Sequence, residues 1–289
     1  MKKIKLIGKV EDYIMNEIMC IGEPFYYRHS SCSDLTPSLF RWSRDQEKCD
    51  AIVCIDSGVV GMFESEEIPE NRFGWLCESP VVIENVYDMV RENYEVLLDY
   101  YRALFTCDKD LSECHERIHL IQSGSNLPWI KDKEIYTKTK NISLVASNKN
   151  FTDGQKLRHE LAEKYKDTVD VIGSINGDRV GDGVFDKLDG YKDYKFTVVT
   201  ENCKQDNYFT EKITDAFATG TIPVYWGTEC VSEIFNPDGI IVLTDDFDMT
   251  QLTPELYEEK MDAVKENFEI VNNMKMADDE LYEIVQTYN

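Results

Sequence analysis

Residues 194–227, YKFTVVTENCKQDNYFTEKITDAFATGTIPVYWG, hold a complete structural unit in one stretch. A β-rich run gives way to a polar loop. A segment follows whose Phe209, Ile213, Ala216 and Phe217 mark one helical face, and then Gly220 and a second β-rich run. Asp206 or Asn207 can cap the start of that helix, and Gly220 can take the left-handed conformation that ends it. Strands joined through a helix belong to parallel sheets covered by helices, so the unit points to an α/β chain.

The same alternation runs through the rest of the chain. In the first half, strands are expected at 4–10, 51–55, 73–77, 103–106 and 118–121. A helix is expected at 85–100, where Val86, Val90, Tyr94 and Leu97 recur at helical spacing. Residues 122–140 are polar, contain Gly124 and Pro128, and suit a domain boundary. Beyond them the pattern restarts with strands at 142–146, 168–173, 195–199, 221–226 and 239–243 and helices at 153–166 and 208–219. Thr253-Pro254 opens a further helix carrying Tyr257, Met261, Val264 and Phe268, and a last one covers about 277–287. The 289 residues are about twice a ~150-residue domain, which gives two nucleotide-binding-type domains, 1–136 and 137–289 with the C-terminal helices.

Charge narrows the function. With 31 basic against 55 acidic side chains the formal net charge is -24, a field that repels nucleic-acid backbones and anionic membrane surfaces. An anionic small substrate would need a few basic groups and backbone N–H donors to reverse that sign locally. No secretory apolar core follows the basic start, and no apolar run is long enough to span a bilayer. The nine cysteines are odd in number and lack framework spacing, which fits reduced thiols and a cytoplasmic location.

The chemistry concentrates at the loop after strand 195–199. Ligands of open parallel sheets bind at the carboxyl ends of strands, and Glu201, Asn202, Tyr208, Glu211 and Lys212 all fall on that edge. A lysine in a helix's first turn opposes the helix dipole by roughly 0.3–1 kcal/mol unless an anion offsets it, and a bound diphosphate would do so.

The segment resembles the signature of family 10 glycosyltransferases, the α-1,3/α-1,4-fucosyltransferases. The shared positions are Tyr194-Lys195-Phe196, Glu201-Asn202, Tyr208, Thr210-Glu211-Lys212, Ala216, Gly220, Pro223 and Gly227. The likeness extends upstream to Ser147-Asn148 and Arg158, and downstream to Phe235-Asn236-Pro237-Asp238-Gly239, roughly residues 140–245 in all. It implies a GT-B fold, two Rossmann-like domains facing across a cleft, with a nucleotide-sugar donor, usually GDP-fucose, held mainly by the C-terminal one. Arg158 and Lys212 would neutralise the diphosphate. Tyr208 and Glu211 would hold nucleoside and sugar, and Glu201 and Asn202 would shape the loop, with Ser147, Asn148 and Thr210 completing the donor set.

Inverting transfer to a glycan hydroxyl also needs a carboxylate base. Glu78, in Cys77-Glu78-Ser79-Pro80 after strand 73–77, resembles the family's E-S-P element that supplies it. The run Pro24–His29 could line an acceptor surface, though a packed loop is the commoner use of such residues. Two alternatives stand beside this expectation: a transferase using another nucleotide sugar, and a sugar-nucleotide-binding protein without turnover.

No obligatory metal or other cofactor is expected. Cys107, Cys114, His115 and His119 lack zinc-ligand spacing. The D-x-D runs 108–110 and 246–248 suit charged turns, Gly173–Asp178 lacks the dinucleotide-loop spacing, and Asp56 receives no role.

Overall fold

The computed structural model describes residues 3–8, 35–43, 51–61, 71–176 and 186–288. The aromatic and basic run 24–29 and the end of the 173–178 turn lie outside them. The chain divides into two compact units, 1–124 with 275–289 and 125–274.

The first unit is built on six parallel strands: β1 (Lys3–Gly8), β2 (Arg41–Ser43), β3 (Ala51–Ile55), β4 (Arg72–Leu76), β5 (Ala103–Thr106) and β6 (Ile118–Leu120). Their order is β2-β1-β3-β4-β5-β6, and every neighbouring pair is parallel. Alternation along the strands feeds two cores. Val53, Ile55, Phe73, Trp75, Ala103 and Phe105 share one face with Ala277, Leu281 and Val285, while Cys54, Leu76 and Leu104 pack with Tyr87, Val90, Leu97 and Leu98 of the helix Glu84–Tyr100.

The helix Ala277–Gln286 therefore belongs to the first unit, although its place in sequence put it with the second. Its apolar side has nowhere else to go: Leu281 is fully buried, Trp42 Nε1 donates to Asp278 Oδ1 at 2.7 Å, and Asp279 accepts from Ser38 and Leu39.

The second unit carries β7 (Lys140–Val145), β8 (Asp170–Ile172), β9 (Tyr194–Thr200), β10 (Ile222–Trp226) and β11 (Ile241–Val242), in the parallel order β11-β10-β9-β7-β8. One face packs Ile142, Leu144, Phe196, Val198, Ile222 and Val224 against the helices Asp153–Lys164 and Pro254–Glu259. The other packs Val199 and Tyr225 against Phe209 and against Ile213 and Phe217 of the helix Glu211–Ala218, with Val271 of the helix Met261–Asn273. The single helix expected from Thr253 onward is divided at Lys260, whose φ of -94° and ψ of 4° leave the helical range.

The boundary also moves, from 136/137 to 124/125, and the polar 125–139 stretch belongs to the second unit. Asp215 accepts the backbone N–H groups of Trp129 and Ile130 at 2.8 and 2.9 Å. Lys138 Nζ reaches the carbonyls of Lys192 and Thr219 and the Thr221 hydroxyl at 3.1, 2.7 and 2.8 Å. Composition marks the stretch as irregular, but these bonds tie its backbone down.

Candidate active site

The strand order of the second unit reverses between β7 and β9, the switch point at which open α/β sheets leave a crevice beyond their strand ends. Ser147 and Asn148 follow β7, and Glu201 and Asn202 follow β9. Between them rises the helix Asp153–Lys164, opened by a capping box in which Thr152 accepts from Gln155 N and the Gln155 side chain reaches back. A Cβ on Gly154 would fall 1.6 Å from the Glu201 carbonyl oxygen, so only glycine lets the helix start approach β9 this closely.

Arg158 lies one turn further along. Its Nε donates to Thr200 Oγ1 at 3.0 Å and its Nη2 to the Thr200 carbonyl at 2.6 Å. Burial lowers its pKa and the charge of Glu201 opposes that shift. The Glu201 carboxylate is fully buried and holds the next element, accepting Thr210 N at 2.9 Å, Thr210 Oγ1 at 2.8 Å and Lys212 Nζ at 3.2 Å.

Thr210, rather than Asp206 or Asn207, is thus the cap, and the helix begins at Glu211. Asn207 instead takes a left-handed φ of 62°, and its N–H donates to Cys230 Sγ. The anion that offsets Lys212 in the first helical turn is Glu201, so this placement does not by itself demand a bound diphosphate.

The ion pairs continue. Lys212 Nζ lies 4.0 Å from Glu211 Oε1, Glu211 Oε1 lies 3.4 Å from Lys187 Nζ, and Lys187 also pairs with Asp215. Charges alternate through Glu201, Lys212, Glu211, Lys187 and Asp215, and the Lys187 ammonium also stands 4.5 Å over the Trp129 ring. Burial would raise the Glu211 pKa, but Lys212 and Lys187 outweigh it and bring it down to about 2. Burial likewise works against the Lys187 charge, and Asp215 and Glu211 raise its pKa so that it stays protonated.

Glu201, Thr210, Lys212 and Glu211 are linked in one cluster, beside which Arg158 bonds Thr200 and Asn202 bonds Tyr208. Tyr208 is 1% exposed, and its hydroxyl accepts from Asn202 Nδ2 at 3.2 Å, so it props the loop from below. Ser147 and Asn148 sit on the neighbouring strand end, where the Ser147 carbonyl meets His159 Nε2 at 3.0 Å and Asn148 N donates to Ser174 Oγ at 3.2 Å. Lys187 and Asp215 carry no sequence signal of membership, because Lys187 meets Glu211 and Asp215 from a distant segment.

Glu78 belongs to the first unit, just beyond β4, and is partly exposed. Among the described residues its carboxylate makes no hydrogen bond or ion pair. Of the remaining acidic motifs, Asp108 caps the short helix Lys109–Ser112 and pairs with Arg91, and Asp248 caps a turn at Thr250. Among the described residues no group of three His, Cys, Asp or Glu side chains is placed to hold a metal ion.

Comparison with known proteins finds a family match in the second unit. Residues 135–274 match the model for glycosyltransferase family 10 (fucosyltransferase) C-term, ending where the second unit ends. An α-(1,3)-fucosyltransferase FucT of Helicobacter pylori is 32% identical over 108 residues, 36% of this chain and 21% of that protein, so the chain spans only about a fifth of this relative's length. A crystal structure of an α1,3-fucosyltransferase superposes with a TM-score of 0.50 at 15% identity, covering 99% of this chain and 89% of that one. The corresponding structure with GDP-fucose also gives 0.50 at 15% identity, over 99% and 88%. These structures show the fold, which is α/β of the GT-B type with two Rossmann-like units. By the match over residues 135–274, the second unit is similar to the C-terminal domain of glycosyltransferase family 10, the fucosyltransferases.

Proposed function

We propose that this protein is an inverting glycosyltransferase that moves fucose from GDP-fucose to a hydroxyl of a glycan acceptor. The observation that carries the proposal is that Arg158, bonded to Thr200, and the Glu201–Lys212 ion pair stand at the switch point of the domain that matches family 10, in a chain whose overall charge is -24. There the two cations would meet the diphosphate, Ser147 and Asn148 would border it from β7, and Glu211, kept ionised by Lys212 and Lys187, would accept hydroxyl hydrogen bonds from the donor. Asn202, Tyr208 and Thr210 would hold the loop in shape.

In the transfer step the acceptor hydroxyl oxygen forms its bond to the anomeric carbon as the bond to the diphosphate oxygen breaks. The hydroxyl proton passes to the Glu78 carboxylate, and the pair of electrons leaves with GDP, whose growing charge Arg158 and Lys212 stabilise. The described cysteines Cys54, Cys77, Cys107, Cys114, Cys203 and Cys230 are free thiols, which suits action in a reducing compartment such as the cytoplasm. Among the described residues no helix is long and apolar enough to cross a membrane.

The test pairs calorimetric binding of GDP and GDP-fucose with GDP release across an oligosaccharide panel. Lys212→Ala should weaken GDP binding at least ~10-fold through loss of a charge-assisted contact. Glu78→Gln should leave GDP binding intact and cut transfer to a small residual rate. Absence of GDP-fucose binding to the unaltered chain would refute the proposal.

A further inference from the structure

Asp56 stands at the end of β3 with a φ of 50°, a left-handed conformation that a non-glycine residue adopts at a cost. The conformation turns its side chain toward the end of the neighbouring strand. Asp56 Oδ1 accepts the backbone N–H of Cys77 at 2.8 Å and that of Glu78 at 3.2 Å, and Asp56 N donates to the Trp75 carbonyl at 2.8 Å. From the other side the Tyr87 hydroxyl donates to the Glu78 carbonyl at 3.2 Å, and Gly124 N donates to the Cys77 carbonyl at 3.4 Å. The Ser79 carbonyl then accepts Val82 N and Ile83 N, which fixes the turn into the helix Glu84–Tyr100.

The Glu78 main chain is therefore held on both its N–H and its C=O, while its carboxylate keeps no partner among the described residues. That is the arrangement a proton acceptor needs: a fixed origin and an uncommitted terminus. We infer that Asp56 is a positioning residue for the Glu78 carboxylate, holding the loop after β4 so that the base meets the acceptor hydroxyl in register. The inference rests on the proposed role of Glu78 and extends it to a residue in a different strand.

Three substitutions separate the possible contributions of Asp56. Asp56→Asn keeps an oxygen able to accept both N–H groups and a side chain that tolerates positive φ. Asp56→Gly relieves the backbone and removes the acceptor, and Asp56→Ala removes the acceptor while keeping the strain. Transfer from GDP-fucose should fall about 10- to 100-fold in kcat for the Gly and Ala variants, the range expected when a reacting group is misplaced by about 1 Å. The KM for GDP-fucose should stay within about twofold, and Asp56→Asn should recover kcat to within about threefold of the unaltered chain. In a Glu78→Gln background the Gly substitution should cost nothing further, because a positioning residue has no effect once its base is gone.

Amide hydrogen exchange of the 73–82 peptide supplies a readout independent of turnover and should quicken in Asp56→Gly but not in Asp56→Asn. A folded Gly variant with unchanged kcat or unchanged exchange overturns the inference, as does an Asn variant as slow as the Gly one. Full activity of Glu78→Gln would instead overturn the role of Glu78 itself. If the unaltered chain transfers to no acceptor, the function proposal fails and the exchange measurement still decides whether Asp56 holds the loop.

Discussion

Gly154→Ala tests how closely the donor-side helix must approach β9. Real Cβ atoms essentially never come within 3.0 Å of another heavy atom, whereas this one would begin 1.6 Å from the Glu201 carbonyl oxygen and 3.0 Å from the Trp226 ring. The helix start must withdraw by at least 1.4 Å, and the two atoms nearer than 3.0 Å, the carbonyl oxygen and carbon of Glu201, belong to backbone.

Arg158 rides on the same helix one turn later, and its two bonds to Thr200, 2.6 and 3.0 Å long, would be drawn beyond hydrogen-bonding range by a rigid shift of that size. The Gly154 N–H to the Asn202 carbonyl at 3.3 Å and the Thr200 hydroxyl to the Gly154 carbonyl at 2.9 Å would part as well. Hydrogen bonds to charged groups contribute about 1.5–3 kcal/mol each, so losing the Arg158 pair removes on the order of 3–6 kcal/mol. In a unit of this size that lowers the thermal midpoint by roughly 10 °C.

Thermal unfolding and GDP calorimetry measure the result, with Glu160→Ala on the exposed side of the same helix as control. The control should behave as the unaltered chain, while Gly154→Ala should melt early and bind GDP at least ~10-fold more weakly. A Gly154→Ala protein with an unchanged midpoint and unchanged GDP affinity would show that the close approach contributes neither to the fold nor to the site.

Two further outcomes follow from the packing and the charges. Leu281→Ala should destabilise the first unit by about 2–5 kcal/mol through the cavity it opens among Phe73, Trp75 and Phe105, while calorimetry finds GDP binding to the second unit intact. The Glu211 pKa is depressed in the folded chain, so its stabilisation is complete above the unfolded value near 4.5 and declines as pH falls toward 2. At neutral pH that contribution is about 3 kcal/mol, and Glu211→Gln should flatten the acid limb of the stability curve measured by urea denaturation between pH 5 and pH 3. An unaltered acid limb in that variant would count against the depressed value.

Local pattern determined a large part of this protein. Short β-rich apolar runs at 51–55, 73–77, 103–106 and 195–199 specified buried strands, and spacings of three and four specified a helix at 85–100, because both signals are properties of neighbouring residues. Gly220 was recognisable as a left-handed helix exit and has a φ of 67°. Glu201 and Lys212 could be placed at a strand end and near a helix start from sequence alone, since those ends are set by the same local signals, whereas Arg158 was singled out by the family resemblance.

What needed the tertiary structure depends on partners far apart in the chain. β2 is three residues long and is an edge strand only because it pairs with β1. The last helix returns to the first unit because Trp42, 236 positions before Asp278, offers it a donor beside a waiting apolar face. Lys212 is neutralised by Glu201 and Lys187 by Asp215 because crossover connections bring those segments together. Asp56 acquires its role from two amides on a different strand. Periodicity shows which side of an element faces inward, but the group it meets there is decided by the path of the whole chain.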